Sequence, residues 1–322
     1  MINKQIPVTV IGGYLGAGKT TLLNHILRNN KGIRFAVLVN DFGNINIDID
    51  LIESQDGDTI NLANGCICCS LAGGFGTAMI SIRDRAVLPD RVLIEASGVS
   101  DPFKIAQYAH LPGFLLDSVI VLADAELIQK QAADKYVGRQ VIQQLKSADF
   151  LLLNKVDLVL DERRTQVGNW LHDLVPDIRI LEVNQGKVPV DMLFGEELPE
   201  DLANPETLED LVDDKQSEKH EHHHDHDYVT WSYIGSSPLD GAKFRALIAG
   251  LDAKVLRGKG FLYLAEDPSV QFVFQLVGKR WSVERGEAWK DREPKTQFVL
   301  IGLAGSLDGA ALDENLKNMI LT

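Results

Sequence analysis

Three short groups of residues have the types and spacing to do chemistry on a phosphorylated ligand. The first is Gly13-Tyr-Leu-Gly16-Ala17-Gly18-Lys19-Thr20. Its glycines let the backbone curl until several N–H groups face one anion at a helix N-terminus, the place where helix polarity favours negative charge. Lys19 then reaches the outer phosphates, the Thr20 hydroxyl can ligate Mg²⁺, and Thr21 follows in the first helical turn. The second group is Asn154-Lys155-Val156-Asp157. A carboxylate at Asp157 can accept both the N1–H and the exocyclic amine of guanine, and adenine would leave it desolvated and unpaired, so the group selects GTP over ATP. The third is Glu95, with Gly98 three residues on and Pro102 beyond. Glu95 can hold Mg²⁺ directly or through water, and the Gly98 N–H can meet a γ-phosphate and sense its presence.

Context separates such a phosphate loop from a chance glycine-rich turn: it must follow a strand and open a helix. Apolar residues at 8–11 and a helical pattern at 19–29 supply both. One absence limits the rate. Val99 follows Gly98, where Ras-like GTPases carry a water-positioning glutamine, so slow intrinsic turnover is expected.

A separate constellation is soft. Cys66, Cys68 and Cys69 are the only cysteines and lie within four residues, useless as a disulfide framework but sensible as a thiolate cluster in a reducing compartment. Tetrahedral Zn²⁺ needs four ligands, so two or three local cysteines leave a position for water, for a carboxylate such as Asp41, or for a thiolate of another protein. Thiolates also admit Co²⁺ and Ni²⁺. A redox-sensing pair or simply buried cysteines are the alternatives. Farther on, His220, His222, His223, His224 and His226 are interleaved with acids. Most imidazoles are neutral near pH 7 and free to ligate, but a mobile ligand set loses entropy on binding, so this arm would load or buffer metal with modest affinity.

The elements that must position these groups follow from hydrophobic pattern. Continuous apolar runs at 8–11, 35–39, 91–94, 118–122 and 150–153 alternate with helical patterns at 19–29, 76–86, 135–146 and 161–174. Runs buried on both faces and separated by helices specify a doubly wound α/β domain with a mostly parallel sheet over residues 1–195. Residues 196–227 hold 13 acids against two bases, lose apolar periodicity, and read as a mobile acidic, His-rich linker. Period-two patterns at 228–234, 261–264, 271–277, 280–283 and 297–301, with helices at 242–249 and 312–319, make 228–322 a smaller α+β domain. Its aromatics, Trp231, Phe261, Tyr263, Phe272, Phe274 and Trp281, are mostly core, with client recognition as the other use.

Length and charge bound the rest. The chain has 322 residues, 45% apolar, with 32 Lys and Arg against 46 Asp and Glu and a net charge of −14. No basic stripe is left for a nucleic-acid backbone, and no apolar run approaches a membrane span. No cleavable signal precedes the glycine loop, so a cytoplasmic protein is expected.

Taken in order, Gly13 to Thr20, Asn40-Asp41-Phe-Gly43, Gly65-Cys66-Ile-Cys68-Cys69, Glu95-x-x-Gly98-x-x-x-Pro102 and Asn154 to Asp157 resemble the CobW-like metallochaperone GTPases, and Arg257-Gly-Lys259-Gly260 resembles that family's second domain. The resemblance implies GTP-dependent transfer of a transition metal, with zinc foremost, to a client metalloprotein. It assigns Lys19, Thr20 and Glu95 to nucleotide and Mg²⁺, Asn154 and Asp157 to guanine, and the three cysteines to cargo, with Lys155 counted among the nucleotide-binding residues. Family members usually carry Glu where Asp41 stands, so the reach of this carboxylate is shortened by a methylene; its role, grouped with Lys19 and Glu95 as catalytic, stays open. So does homo-oligomerisation. The rival readings are a regulatory GTPase with a redox-sensing cysteine cluster and a metal-buffering protein with a vestigial nucleotide site.

Overall fold

The computed structural model describes residues 5–30, 32–39, 59–61, 67–194, 228–290 and 292–321, with the backbone alone at 59–61 and 67–74. Asp41, Cys66, the 196–227 linker and its five histidines lie outside the described residues. The chain divides into two units, Met1–Val190 with Val277–Arg280, and Asp191–Leu276 with Trp281–Thr322.

Seven strands form the sheet of the first unit: β1 Ile6–Gly13, β2 Phe35–Val39, β3 Thr59–Asn61, β4 Arg91–Glu95, β5 Phe114–Asp124, β6 Phe150–Asn154 and β7 Arg179–Val183. Their order is β3-β2-β4-β1-β5-β6-β7, and every pairing is parallel. β2, β4 and β6 are buried along their whole length, which is why they are runs of Val, Leu, Ile and Phe rather than alternating patterns. Register brings Ile11 opposite Glu95, Gly13 opposite Leu122, and Asp124 opposite Asn154. The polar residues that end the apolar runs therefore share the carboxyl edge of the sheet, where open α/β folds bind ligands.

Helices cover the sheet through apolar stripes. α1 (Lys19–Arg28) buries Leu22, Leu23 and Ile26 completely, each worth roughly 1.5–3 kcal/mol. α2 (Ile67–Arg83) buries Phe75, Ala78, Met79 and Ile82 at the i, i+3, i+4, i+7 spacing. Short α3 (Pro102–Ala106) and α4 (Ile128–Ala132) precede α5 (Gly138–Lys146) and α6 (Asp161–Leu174), and α7 (Val190–Phe194) comes last before the undescribed stretch. α6 opens on Asp161 and Glu162, as the helix dipole favours, and begins and ends where the sequence pattern places it.

Several elements of this unit differ from expectation, and three of them have a plain physical reason. The helix expected at 76–86 starts nine residues earlier, at Ile67, because packing of the stripe from Phe75 to Ile82 overrides the low helix propensity of glycine. The helix expected from 135 starts at Gly138, because the Asp134 side chain accepts the N–H groups of Tyr136 and Val137 and holds them in a turn. β7 went unpredicted, since Arg179 and Glu182 interrupt the apolar run of an edge strand.

The second unit is a five-stranded sheet in the order β11-β10-β9-β12-β8: β8 Tyr228–Gly235, β9 Val255–Leu262, β10 Val270–Val277, β11 Arg280–Ala288 and β12 Thr296–Leu303. β12 pairs antiparallel with both β8 and β9. α8 (Gly241–Ala249) and α9 (Gly309–Lys317) begin at Asp240 and Asp308, whose carboxylates cap them. The strand expected at 261–264 lies instead at Val255–Leu262. Gly258 and Gly260 sit mid-strand because a Cβ there would meet Leu300 and Phe274, or the Gln297 carbonyl and Phe298. Phe244, Phe274 and Phe298 pack edge to face with centroids 5.3–5.7 Å apart, and Phe272 is buried with them. Trp231 packs onto this core, whereas Phe261 and Trp281 are exposed. No helix among the described residues is long and apolar enough to cross a membrane.

Candidate functional site

β1 runs straight into the phosphate loop, and the loop into α1. Gly18 has φ 102°, a conformation that favours glycine, and a Cβ on it would lie 2.4 Å from Asn154 Nδ2. Only glycine fits there. Lys19 is 8% exposed and its Nζ donates to the Gly13 carbonyl at 3.0 Å, so the ammonium is folded back over the loop. Gly16 has open space beside it and a positive φ of 77°, and Ala17 is buried beneath the loop. The Thr20 hydroxyl donates to Glu95 Oε1 at 3.3 Å across the gap between α1 and β4, and Glu95 is buried. A hydroxyl and a carboxylate side by side, with no nitrogen or sulfur between them, are a donor set for a hard cation, so these two residues fit Mg²⁺. Thr21 is exposed on the first turn of α1.

Asn154 is not aimed outward. Its Nδ2 donates to the Ala17 carbonyl at 2.9 Å and its Oδ1 accepts from the Gly186 N–H at 3.0 Å, so both ends of a 2%-exposed amide are spent holding loops. These two bonds make Asn154 a fastening of the phosphate loop. Lys155 adopts the left-handed conformation, φ 63°, with Nζ 2.7 Å from buried Asp124 Oδ2; Asp124 also accepts from the Glu126 and Leu127 N–H groups. Asp157 is exposed, and its N–H donates to Asn184 Oδ1 at 3.1 Å.

The segment Asn184-Gln185-Gly186 is part of this site, and sequence reasoning missed it. Gln185 and Gly186 have φ 53° and 64°, and a Cβ at Gly186 would come within 2.9 Å of the Leu22 N–H in α1. The available signal was an Asn-Gln-Gly turn directly after a short apolar run, at the same sheet edge as Asn154.

On the other flank, the loop after β4 packs on the phosphate loop. A Cβ at Gly98 would lie 2.5 Å from Leu15 Cδ2 and 2.9 Å from the Leu15 nitrogen, so only glycine permits this approach. Asp101 caps α3 by accepting the Phe103 N–H at 3.0 Å. The edge thus presents a glycine cradle, a buried cation, a hydroxyl with a carboxylate, and two loops in contact with the cradle.

That assembly is matched in known proteins. Residues 7–182 match the CobW/HypB/UreG nucleotide-binding domain, and residues 228–320 match the Cobalamin synthesis protein cobW C-terminal domain. The chain belongs to the CobW/HypB/UreG family. It is similar to the zinc chaperone YjiA of Escherichia coli (strain K12), 31% identical over 314 residues that cover 92% of this chain and 94% of that protein. It is also similar to the zinc chaperone CobW of a Sinorhizobium species, 29% identical over 346 residues covering 96% and 95%. A third relative is the zinc-regulated GTPase metalloprotein activator 1 of Dictyostelium discoideum, 26% identical over 331 residues covering 89% of this chain and 69% of that protein.

Within this CobW/HypB/UreG chain the cysteines occupy a definite place in the order of elements. Cys68 and Cys69 are the second and third residues of α2, and Cys66 lies outside the described residues. α2 leads directly into β4, the strand that ends on Glu95. Among the described residues, no three His, Cys, Asp or Glu side chains gather as a metal-ion cluster.

Proposed function

We propose that this protein is a GTP-dependent metallochaperone that takes up Zn²⁺ at Cys66, Cys68 and Cys69 and uses GTP hydrolysis to release it to a client metalloprotein. The observation that carries the reading is consecutive placement: the helix bearing Cys68 and Cys69 leads into the strand whose last residue, Glu95, touches Thr20 of the phosphate loop. A change at the nucleotide has a short path to the thiolates. The names of three relatives, two zinc chaperones and one zinc-regulated GTPase activator, support zinc as cargo.

In this mechanism the loop from Gly13 to Thr20 wraps the phosphates with backbone N–H groups and Lys19 neutralises the charge that develops on the leaving phosphate. Thr20 and Glu95 hold Mg²⁺, which supplies electrostatic stabilisation of the phosphate chain when bound. Asp157 reads guanine, Lys155 lies alongside it, and Asn154 keeps the cradle in shape. Gly98 senses the terminal phosphate. With Val99 rather than glutamine next to it, turnover is slow, as suits a timer for metal release. Asp41 completes the metal site or touches Mg²⁺, and the five histidines from 220 to 226 load metal from the cytoplasm.

Gating demands differential affinity. Shifting a two-state equilibrium from mostly open to mostly closed takes about 10⁴-fold, or about 5.5 kcal/mol, and by linkage zinc must tighten GTP by whatever factor GTP tightens zinc. The test is a competition titration of Zn²⁺ against a chromophoric chelator, on protein loaded with Mg²⁺ and either a non-hydrolysable GTP analogue or GDP. Tighter zinc with the analogue, abolished by Cys66→Ser, Cys68→Ser and Cys69→Ser together, is expected. Equal affinities would refute gating. Parallel titrations with Co²⁺ and Ni²⁺ rank the cargo.

A further inference from the structure

Helix α5 carries a polar residue where its pattern calls for an apolar one. Its buried stripe is Gly138, Val141, Gln144 and Leu145, and Gln144 is 2% exposed among neighbours of the main core. A polar residue on a core stripe breaks the local rule, and such breaks concentrate at functional sites. The side chain is committed to the loop after β4. Gln144 Nε2 donates to the Gly98 carbonyl at 3.0 Å and to the Ser100 carbonyl at 2.7 Å. Two carbonyl acceptors on one end fix which end is the nitrogen, since the flipped amide would set oxygen against oxygen.

The neighbours on the same helix complete the grip. Gln140 Nε2 donates to the Val99 carbonyl, and Gln143 Nε2 donates to Asp101 Oδ2 at 2.7 Å. Three consecutive backbone carbonyls, 98, 99 and 100, are therefore held from α5. The donors of the loop are used within it: the Ser100 N–H bonds the Ser97 carbonyl at 2.9 Å and the Val99 N–H reaches Ser97 Oγ at 3.4 Å. Among the described residues no acceptor takes the Gly98 N–H, and Gly98 lies against Leu15 of the phosphate loop. With the carbonyls of residues 98 to 100 held, the backbone around Gly98 is anchored to α5.

The grip is also incomplete. Gln144 Oε1 is buried and finds no donor among the described residues. A leucine at 144 would satisfy the core and strand the loop carbonyls; a glutamine satisfies the carbonyls and strands its own oxygen. Such a contact holds the loop through two bonds, and the unpaired oxygen of the held state offsets part of the cost of letting it go.

We infer that Gln144, assisted by Gln140, is a positioning residue for the Gly98 loop and sets how strongly the site distinguishes a nucleoside triphosphate from a diphosphate. The inference rests on the reading that this loop meets the terminal phosphate. It assigns no contact between Gln144 and nucleotide; the effect runs through the backbone of residues 98 to 100.

The test compares affinities of the full-length protein for fluorescent GDP and for a fluorescent non-hydrolysable GTP analogue, both with Mg²⁺, in wild type, Gln144→Leu, Gln144→Glu and Gln140→Ala. Loss of one to two hydrogen bonds at the loop is expected to weaken the analogue about tenfold in both Gln144 variants and about threefold in Gln140→Ala, with GDP within about twofold of wild type throughout. Gln144→Glu keeps the shape and loses the donors, so it separates hydrogen bonding from packing. Equal losses for both ligands, or unchanged ratios in variants that melt like wild type, would overturn the inference. If neither Gln144 variant folds, Gln140→Ala with Gln143→Ala must lower the same ratio, and an unchanged ratio overturns it. A wild type that binds both ligands alike removes the sensing role of the loop and the clamp with it, whereas a discriminating wild type with discriminating variants removes the clamp alone.

Discussion

Asn154 and Gln144 are both 2% exposed, and both tie backbone loops at the carboxyl edge of one sheet. They differ in how fully they are paired. Asn154 gives its nitrogen to Ala17 and its oxygen accepts from Gly186, so the phosphate loop and the turn after β7 are joined through an amide bonded at both ends. Gln144 gives its nitrogen twice and its oxygen to no described residue. A buried amide satisfied at both ends resists displacement, because moving it strands a donor and an acceptor at once. Gln144 makes as many bonds, but its held state also carries a buried unpaired oxygen, a cost that release relieves. On the proposed reading the nucleotide site has a fixed cradle on the β6 side and a releasable loop on the β4 side, the division a GTP-operated switch needs.

That contrast breaks in graded ways. Lys19→Ala removes the buried cation over the phosphate loop and is expected to weaken GTP binding and slow hydrolysis by about 10²–10³-fold, read from nucleotide affinity and phosphate release. Asn154→Ala strands the Ala17 carbonyl and the Gly186 N–H; with each worth about 1–3 kcal/mol, the melting temperature falls by several degrees and GDP and GTP weaken together. Equal weakening is the point, since it is the opposite of the selective loss expected at Gln144. Gly98→Ala forces a methyl to 2.5 Å from Leu15 Cδ2 and 2.9 Å from the Leu15 backbone nitrogen. It should lower affinity for the GTP analogue about tenfold while leaving GDP nearly unchanged, because only the releasable loop is displaced.

The smallest effect lies at the entrance to α5. The Tyr136 and Val137 N–H groups hold the Asp134 carboxylate below its ordinary value of 3.8. A carboxylate depressed in the folded state stabilises above its unfolded pKa and loses that contribution as pH falls through the folded one. Asp134→Ala should therefore cost a little thermal stability at pH 7, with the difference from wild type shrinking below about pH 4 in paired melting curves. A difference that grew on acidification would contradict the assignment.

Much of this was legible in the sequence. Runs such as Phe150 to Leu153 can only be strands buried on both faces, and Gly18-Lys19-Thr20 after such a run names both the loop and its ligand class. The rest depended on tertiary context that spacing does not encode. Gly258 and Gly260 look like breakers until Phe274 and Phe298 are seen filling the space of their missing side chains. The loop-fastening contacts of Asn154, to Ala17 and Gly186, lie 137 and 32 positions away and leave no trace in local spacing. Gln144 gave a weak signal, a polar residue on an apolar helical stripe, but its target was 46 residues upstream. Cys66, Asp41 and the histidine run lie outside the described residues, so their geometry is a matter for the zinc titration.

The most direct measurement is hydrogen exchange by mass spectrometry on the wild-type protein with Mg²⁺, comparing GDP with a non-hydrolysable GTP analogue. A fixed cradle and a releasable loop require exchange in the 97–101 segment to fall with the analogue, while the amides of residues 17–20 and 184–187 are protected equally by both nucleotides. Protection that changes at 17–20 and stays constant at 97–101 would contradict that division and place the switch elsewhere.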